Sequence, residues 1–422
     1  MPTYYLPYGK SSINFTLSNE YLTFQILPQS QKPSADPLKT VYKAFKTPCG
    51  DFDEGIFKQG LTVGIAINDP TRPIPHSILL APLLDYLESF GIQKNQIHLF
   101  IATGTHKPIS KNEFTSFLPL DIVQMYQITC HDCDDNLSLT NIGTTNRGTP
   151  VLINSQFFQK NIKIVVGDIE PHHFQGFSGG VKSAAIGLAG RKTIDINHRL
   201  MMDIHSFIGE YDLNPTRQDV EEIGDLIEID AALNAVLNLD KQIVEVFWGK
   251  PREVMIAGIP FVKRICQSIE TEPFDLVIAS PGGYPKDINL YQSQKALTHA
   301  GLFVKENGII ILCAECIQGV GSSQYLEFME NLKSFSEVIN KFDKTDFKVG
   351  PHKAFQIARQ GLRNKIFLVS SIDAATIKKL LLTPFNNVAS ALQSVLPLLS
   401  SHARIGILPY ATNTIILPDK NQ

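Results

Sequence analysis

The chain has 422 residues, 43% hydrophobic and 19% charged, with a formal net charge of −3. That length suits two or three domains with cores of their own, and the composition excludes a disordered chain. The near-neutral charge and the lack of a long Lys/Arg run argue against nucleic acid as the partner and point to a small molecule.

The N-terminal stretch Met1 to Pro7 lacks a basic region followed by an apolar one, and no apolar run has membrane-spanning length, so a cytoplasmic protein without a membrane partner is expected. Three short strand-like runs follow: Tyr4–Leu6, Ile13–Leu17 and Leu22–Leu27. Alternation then sets in. Leu61–Ile67 reads as a buried strand, Ser77–Phe90 as a helix with Leu79, Leu83 and Leu87 on one side, and Ile97–Ala102 as the next strand. A helix over Lys111–Phe117 and strands at Gln127–Cys130 and Lys163–Gly167 complete the first series. A second series starts at Phe274–Ser280, with a helix over Tyr291–His299 and strands at Ile309–Leu312 and Ile366–Val369.

Strands alternating with helices predict α/β architecture: two α/β domains with mainly parallel sheets. The boundary falls between Pro260 and Pro273, giving an N-terminal cofactor-binding domain over 1–265 and a C-terminal domain over 266–422. The tail strands Gly406–Pro409 and Thr414–Leu417 are open to either domain.

Ligands of open parallel sheets bind beyond the carboxyl ends of the strands, and the polar motifs fall there. Asp69 and Arg72 flank a Pro-rich turn, where the arginine suits a carboxylate clamp or a structural ion pair. His106 follows the small-residue turn Thr103-Gly104-Thr105, and by itself reads as a loop histidine. Pro171–Lys182 joins two histidines, a glycine-rich turn and a lysine, with Asn197-His198 downstream. Histidine ligates metal or moves protons, lysine contacts phosphate or forms covalent adducts, and glycines let amides approach an anion. His172 and His173 adjoin, so on an extended chain their side chains point to opposite sides. The P-loop pattern fails because Val181 stands directly before Lys182, and no G-x-G-x-x-G follows the first strands. On this segment alone, a phosphate-cradling loop and a glycine-rich connection with a solvated lysine are equally good readings. Gln292 and Lys295 share a helical face with Tyr291 beside them.

Six cysteines do not make a disulfide scaffold in a chain of this length. Cys130/Cys133 and Cys313/Cys316 have zinc-ligand spacing, but the pairs are far apart and each carries a carboxylate between its cysteines, so a four-sulfur zinc site is not expected.

Taken together the motifs resemble the nickel-pincer lactate racemase family, the racemases and epimerases of 2-hydroxy acids. The likeness runs over nearly the whole chain and rests on five motifs in one order. These are Asp-x-Thr-Arg-Pro at 69–73, Ala-Thr-Gly-Thr-His-Lys-Pro at 102–108, His-x-Phe-x-Gly-Phe-Ser-Gly-Gly-x-Lys at 172–182, Asn-His at 197–198 and Tyr-Gln-x-x-Lys at 291–295. The resemblance implies a nickel-pincer nucleotide, pyridinium-3,5-bisthiocarboxylic acid mononucleotide, covalently attached to Lys182, with His198 as the protein ligand to nickel. It makes His106 and His172 the proton-transfer pair and places the amides of Ser178, Gly179 and Gly180 near the cofactor phosphate. Asp69, Arg72, Tyr291, Gln292, Lys295 and His352 would line the substrate, in a cleft between the domains. It also implies cofactor-maturation proteins as partners, and leaves the oligomeric state open.

The chain departs from the lactate-specific pattern at three places. Val181 replaces an arginine before the tether lysine, Ile186 stands where proline is common, and Gly350-Pro351-His352-Lys353-Ala354 replaces a segment bearing a pocket tryptophan. The last change predicts a roomier or more cationic pocket and a longer, dicarboxylic or polyhydroxylated substrate. Two rival readings are a catalytically silent relative that binds nickel or the nucleotide, and a zinc-dependent hydrolase, which lacks an H-E-x-x-H-like helix.

Overall fold

The apolar runs of the first alternating region are buried along their length, as strands between two helical layers must be. In the computed structural model every residue is described except 30, 73, 269–271, 346, 349 and 417–422. Pro73 of the Asp-x-Thr-Arg-Pro motif and Leu417 of the expected last strand lie outside the described residues. The chain forms two compact units, Ser30–Ile265 in one and Met1–Gln29 with Cys266–Gln422 in the other.

The Ser30–Ile265 unit is built on a six-stranded sheet in the order Ile243–Gly249, Ala231–Leu237, Ile162–Asp168, Val63–Asn68, Ile97–Ala102, Gln127–Cys130. All neighbours are parallel except the Ala231–Leu237/Ile243–Gly249 pair. The His76–Ser89 helix buries Leu79, Leu80, Leu83, Leu84 and Leu87 against a core with Ile65, Ile67, Leu99, Val166 and Trp248. Val63–Asn68 is followed in space by Ile97–Ala102 on one side and by Ile162–Asp168 on the other. The chain therefore leaves the ends of the two central strands in opposite directions, and a crevice opens at that switch point.

The second unit carries a six-stranded parallel sheet in the order Thr383–Phe385, Lys365–Val369, Val304–Cys313, Phe274–Ala279, Arg404–Leu408, Leu22–Gln25. This corrects the division at 1–265: the first residues belong with the C-terminal unit. Leu22–Gln25 pairs with Arg404–Leu408, and the Thr3–Tyr8/Ser11–Thr16 hairpin places Leu6, Phe15 and Leu17 in a core with Leu276, Ile278, Ile311 and Ile407. The Gly406–Pro409 tail strand is likewise in this sheet, while Ile415 makes an isolated bridge with Gln267.

Two sequence expectations differ locally. Lys111–Ser116 forms a 3₁₀ helix rather than an α-helix. Phe114 is its one buried residue, and the Ser110/Glu113 capping box tightens the first turn, so little apolar surface holds a longer helix in place. His173–Gln175 is a turn rather than extended chain, because Pro171–His172 folds back on Gly176–Phe177. The His172 and His173 rings consequently lie 4.6 Å apart instead of on opposite sides. Among the described residues no helix is long and apolar enough to cross a membrane.

Candidate active site

At the switch point a cavity enclosing about 750 Å³ of space not filled by protein atoms, part of it open to solvent, lies over the ends of the three central strands. Each wall comes from a strand end. Asn68, Asp69 and Arg72 follow Val63–Asn68, Thr103 to His106 follow Ile97–Ala102, and Asp168 and His172 follow Ile162–Asp168. Ser178, Gly179, Lys182 and Ser183 come from the glycine loop and His198 from the Arg191–Arg199 helix.

Asp69 is 4% exposed, and both its oxygens are committed. Oδ2 accepts from His106 Nδ1 at 2.6 Å, and Oδ1 accepts from the Thr71 hydroxyl at 2.6 Å and the Thr71 amide at 3.1 Å. Burial pushes the Asp69 carboxyl upward, but the His106 and Thr71 hydrogen bonds and the His106 and Arg72 charges outweigh it and hold it below the usual range. Asp69 thus braces His106, where the sequence reading made it a substrate contact. With Nδ1–H given to Asp69, the neutral imidazole of His106 carries its lone pair on Nε2. His172 is arranged the other way: the Gln175 amide donates to its Nδ1 at 3.2 Å, so in the neutral ring the proton sits on Nε2.

His198 is oriented by its neighbour. Asn197 is fully buried, and its Nδ2 donates to the Thr216 carbonyl at 3.0 Å and to Asp219 Oδ2 at 2.9 Å, which fixes the amide's orientation. Its Oδ1 accepts from His198 Nδ1 at 3.1 Å. The lone pair of His198 is therefore on Nε2, the arrangement in which a histidine ligates metal with an outer partner fixing the ring. Phe174 packs edge-on between His172 and His198, with centroids 4.7 and 5.0 Å away.

The glycine loop departs from the expected cradle. The Ser178 amide donates to the Glu170 carbonyl at 2.8 Å and the Gly180 amide to Asn234 Oδ1 at 2.6 Å. Two of the three amides expected to face a phosphate are thus used internally, and Gly180 does not line the cavity. The loop is held from behind by Arg217, fully buried, whose Nη1 donates to the Phe177 and Gly179 carbonyls at 3.2 and 3.1 Å while Nε and Nη2 reach Glu221. Gly179 is required by its φ of +93° and by the Asp168 carbonyl, 3.0 Å from where a Cβ would stand. Val181 points away and packs on Gly224, which explains how an apolar side chain replaces an arginine beside Lys182.

Sequence reasoning missed Asp168, Arg217, Glu221 and Asn234. Arg217 and Glu221 sit at i and i+4 on the Pro215–Ile227 helix, a spacing that was the available signal for a pair. Asp168 is 5% exposed at its strand end, and burial, with the Glu170 charge, pushes its carboxyl up to about 7 against the pull of Lys241 and Arg72.

In the second unit Tyr291, Gln292 and Lys295 lie on the Leu290–Ala300 helix, capped by Asn289, which accepts from the Gln292 amide at 3.0 Å. His352 and Lys353 begin the Pro351–Gly361 helix, and the His352 ring lies 5.8 Å from that of Tyr291. The expectation of a more cationic wall meets a correction. His352 and Lys353 are 5% and 2% exposed. Lys353 Nζ donates to Gln294 and Gln356 at 3.2 Å each. Burial first, and then the Lys295 charge, drive the Lys353 amine well below its usual range, so its charged form is disfavoured.

All six cysteines are free thiols. Among the described residues the one group of metal-ligating type close enough to share an ion is Asp132, Cys133 and Asp134, and Asp134 is already bound by Arg191 at two points.

Comparison with known proteins identifies the family. Residues 8–209 match the lactate racemase N-terminal domain and residues 269–416 the lactate racemase C-terminal domain. The chain belongs to the lactate racemase family. It is 29% identical to the lactate racemase of Thermoanaerobacterium thermosaccharolyticum over 97% of this chain and 98% of that protein. It is 30% identical to that of Lactiplantibacillus plantarum over 80% of each. The apoprotein structure of the former superposes with a TM-score of 0.92 at 28% identity, covering 99% of this chain and all of that one. A Thermotoga maritima protein at 16% identity and a TM-score of 0.65, covering 92% of this chain and 99% of that one, shares the fold. The family is one of isomerases and implies a nickel-dependent cofactor. The residues present fit such a group: an imidazole with a fixed outer partner and an amine line one cavity whose donors are nitrogen and oxygen.

Proposed function

We propose that the protein racemises or epimerises a 2-hydroxy acid using a nickel-pincer nucleotide tethered to Lys182, with nickel held by His198. The observation that carries this reading is one cavity that collects Arg72, His106, His172, Lys182 and His198, with His106 braced by a buried carboxylate. The Cα–H of a free 2-hydroxy acid is too weakly acidic for a side-chain base, so the bound cofactor supplies a reversible hydride acceptor. Everything else falls to the side chains. Arg72 holds the carboxylate by paired hydrogen bonds and keeps it fixed while a planar 2-keto acid turns. His106 takes the hydroxyl proton of one enantiomer through Nε2, and His172 serves the other. For His172 to act as base through Nε2, its proton has to move to Nδ1, and the hydrogen bond from the Gln175 amide has to be given up. The resemblance assigns Tyr291, Gln292, Lys295 and His352 of the second unit to the substrate. The missing tryptophan favours a substrate longer than lactate, and the disfavoured charge on Lys353 favours a polyhydroxylated chain over a dicarboxylate.

The test is coexpression with cofactor-maturation proteins, followed by intact mass, peptide mapping and nickel analysis, and then interconversion of enantiomers across a 2-hydroxy acid panel. A nucleotide adduct on Lys182 with nickel, and turnover of at least one acid, is the expected result. An unmodified Lys182 alongside a loaded family member would overturn the tether. Loading without exchange on any acid would leave a silent cofactor-binding relative. Fastest turnover on lactate would reject the longer substrate.

A further inference from the structure

Asp168 is the one ionisable residue lining the cavity, among the described residues, that the resemblance gives no task. It ends the central Ile162–Asp168 strand, is 5% exposed and lines the cavity with Ser178, Gly179 and Lys182. Its carboxylate accepts from its own backbone amide, and the Lys241 and Arg72 charges act on it, which leaves most of its acceptor capacity for a ligand in the cavity. Such a buried acceptor is costly unless a ligand provides donors.

Asp168 accepts but does not donate when ionised, so it repels a phosphate or a substrate carboxylate and requires either a cation or hydroxyl groups. A cation is poorly served. Among the described residues Asp168 belongs to no group of three metal-ligating side chains close enough to share an ion. Vicinal hydroxyls fit: the two oxygens of a carboxylate can accept from both, as an acidic residue accepts from the ribose in dinucleotide-binding sheets, although there it follows the glycine turn rather than preceding it.

We infer that Asp168 grips the ribose hydroxyls of a pyridinium mononucleotide in the Lys182 cavity. The inference rests on the nucleotide reading proposed above. It makes Asp168 a cofactor-selecting residue: it distinguishes a ribonucleotide from its deoxy counterpart and takes no part in proton transfer.

The test is calorimetry on the full-length apoprotein with nicotinic acid mononucleotide and its 2′-deoxy analogue as probes, beside the Lys182 loading measurement. The wild type should favour the ribonucleotide about tenfold or more, the scale of a hydrogen bond to a charged group. Asp168→Ala should bind both probes alike, and Asp168→Asn, which keeps one acceptor oxygen and the side-chain size, should show a reduced preference. Urea melts of each variant verify folding. If Asp168→Ala discriminates as well as the wild type, or if the wild type binds both probes equally, the Asp168 assignment is overturned while a loaded Lys182 leaves the cofactor reading standing. If the wild type binds neither probe and acquires no mass on Lys182, the cofactor reading falls and Asp168 falls with it.

Discussion

Replacing Asp69 by asparagine keeps the side chain's size and removes the charge that braces His106. The bond at risk is 2.6 Å long, with the carboxylate 5% exposed and the imidazole 44% exposed. A hydrogen bond to a charged group contributes about 1.5–3 kcal/mol, and the half-exposed imidazole places this one near the lower end, about 1.5 kcal/mol. At about 1.4 kcal/mol per factor of ten, lost orientation alone lowers kcat roughly tenfold. The tautomer adds to this. An amide can donate to Nδ1 where the carboxylate only accepts, which moves the imidazole proton to Nε2 and removes the base. General-base catalysis supplies about 10²–10⁴-fold, so the D69N rate should fall into that range with KM little changed. The assay is enantiomer interconversion and α-deuterium exchange by holoenzyme matched for nickel and Lys182 adduct. The sign with pH follows from the lowered folded value of Asp69. Its contribution is present above the ordinary carboxyl value of 3.8 and is lost only as pH falls through the lower folded one. The Asp69–His106 link should therefore hold unchanged through neutral pH. D69N kinetics within threefold of wild type, with the same pH profile, would refute the bracing role.

Other expectations follow from the same geometry. His198→Ala should lose nickel in metal analysis while the mass adduct on Lys182 persists, because tether and ligand are separate residues. Asn197→Ala removes the partner of His198 and leaves Asp219 with one donor fewer, so nickel content should drop and urea unfolding should register a loss of about 1–3 kcal/mol. Glu221→Ala strands the buried Arg217 charge and should cost about 3–5 kcal/mol by the same measurement, whereas a double replacement of Arg217 and Glu221 by methionine should cost less. On a substrate that is racemised, the hydrogen bond to His172 Nδ1 has to be exchanged for only one enantiomer. Progress curves from the two enantiomers should then give unequal kcat with equal kcat/KM.

Most strands of the two sheets were readable because parallel strands buried on both faces leave continuous apolar runs such as Leu61–Ile67 and Phe274–Ala279, whereas Ala231–Leu237, Ile243–Gly249 and Thr383–Phe385 were not read from the sequence. The site motifs were readable because they are polar and follow those runs directly. What escaped was decided across the chain rather than along it. Asn234 lies in a buried strand and matters because its Oδ1 takes the Gly180 amide 54 positions away. Leu22–Gln25 looks like any short strand, and nothing local to it indicates that its partner is Arg404–Leu408. The opposed orientation assumed for His172 and His173 failed because Gly176, at φ +71° and with the Glu210 carbonyl oxygen 1.6 Å from a would-be Cβ, admits a turn that periodicity does not reveal.

The pairing of Leu22–Gln25 with Arg404–Leu408 also determines how this polypeptide can be taken apart. The Ser30–Ile265 unit is, in chain connectivity, an insertion within the other domain, whose sheet is complete only when both Leu22–Gln25 and Arg404–Leu408 have been made. During synthesis the inserted unit has all its strands long before its host has, so it should be the first to acquire a protease-resistant core. A cut at residue 265 would leave the C-terminal fragment with an exposed sheet edge and without Leu6, Phe15 and Leu17 of its core. The fragment expected to fold as an independent piece is 30–265, and its complement is best made by joining residue 29 to residue 266 through a short linker.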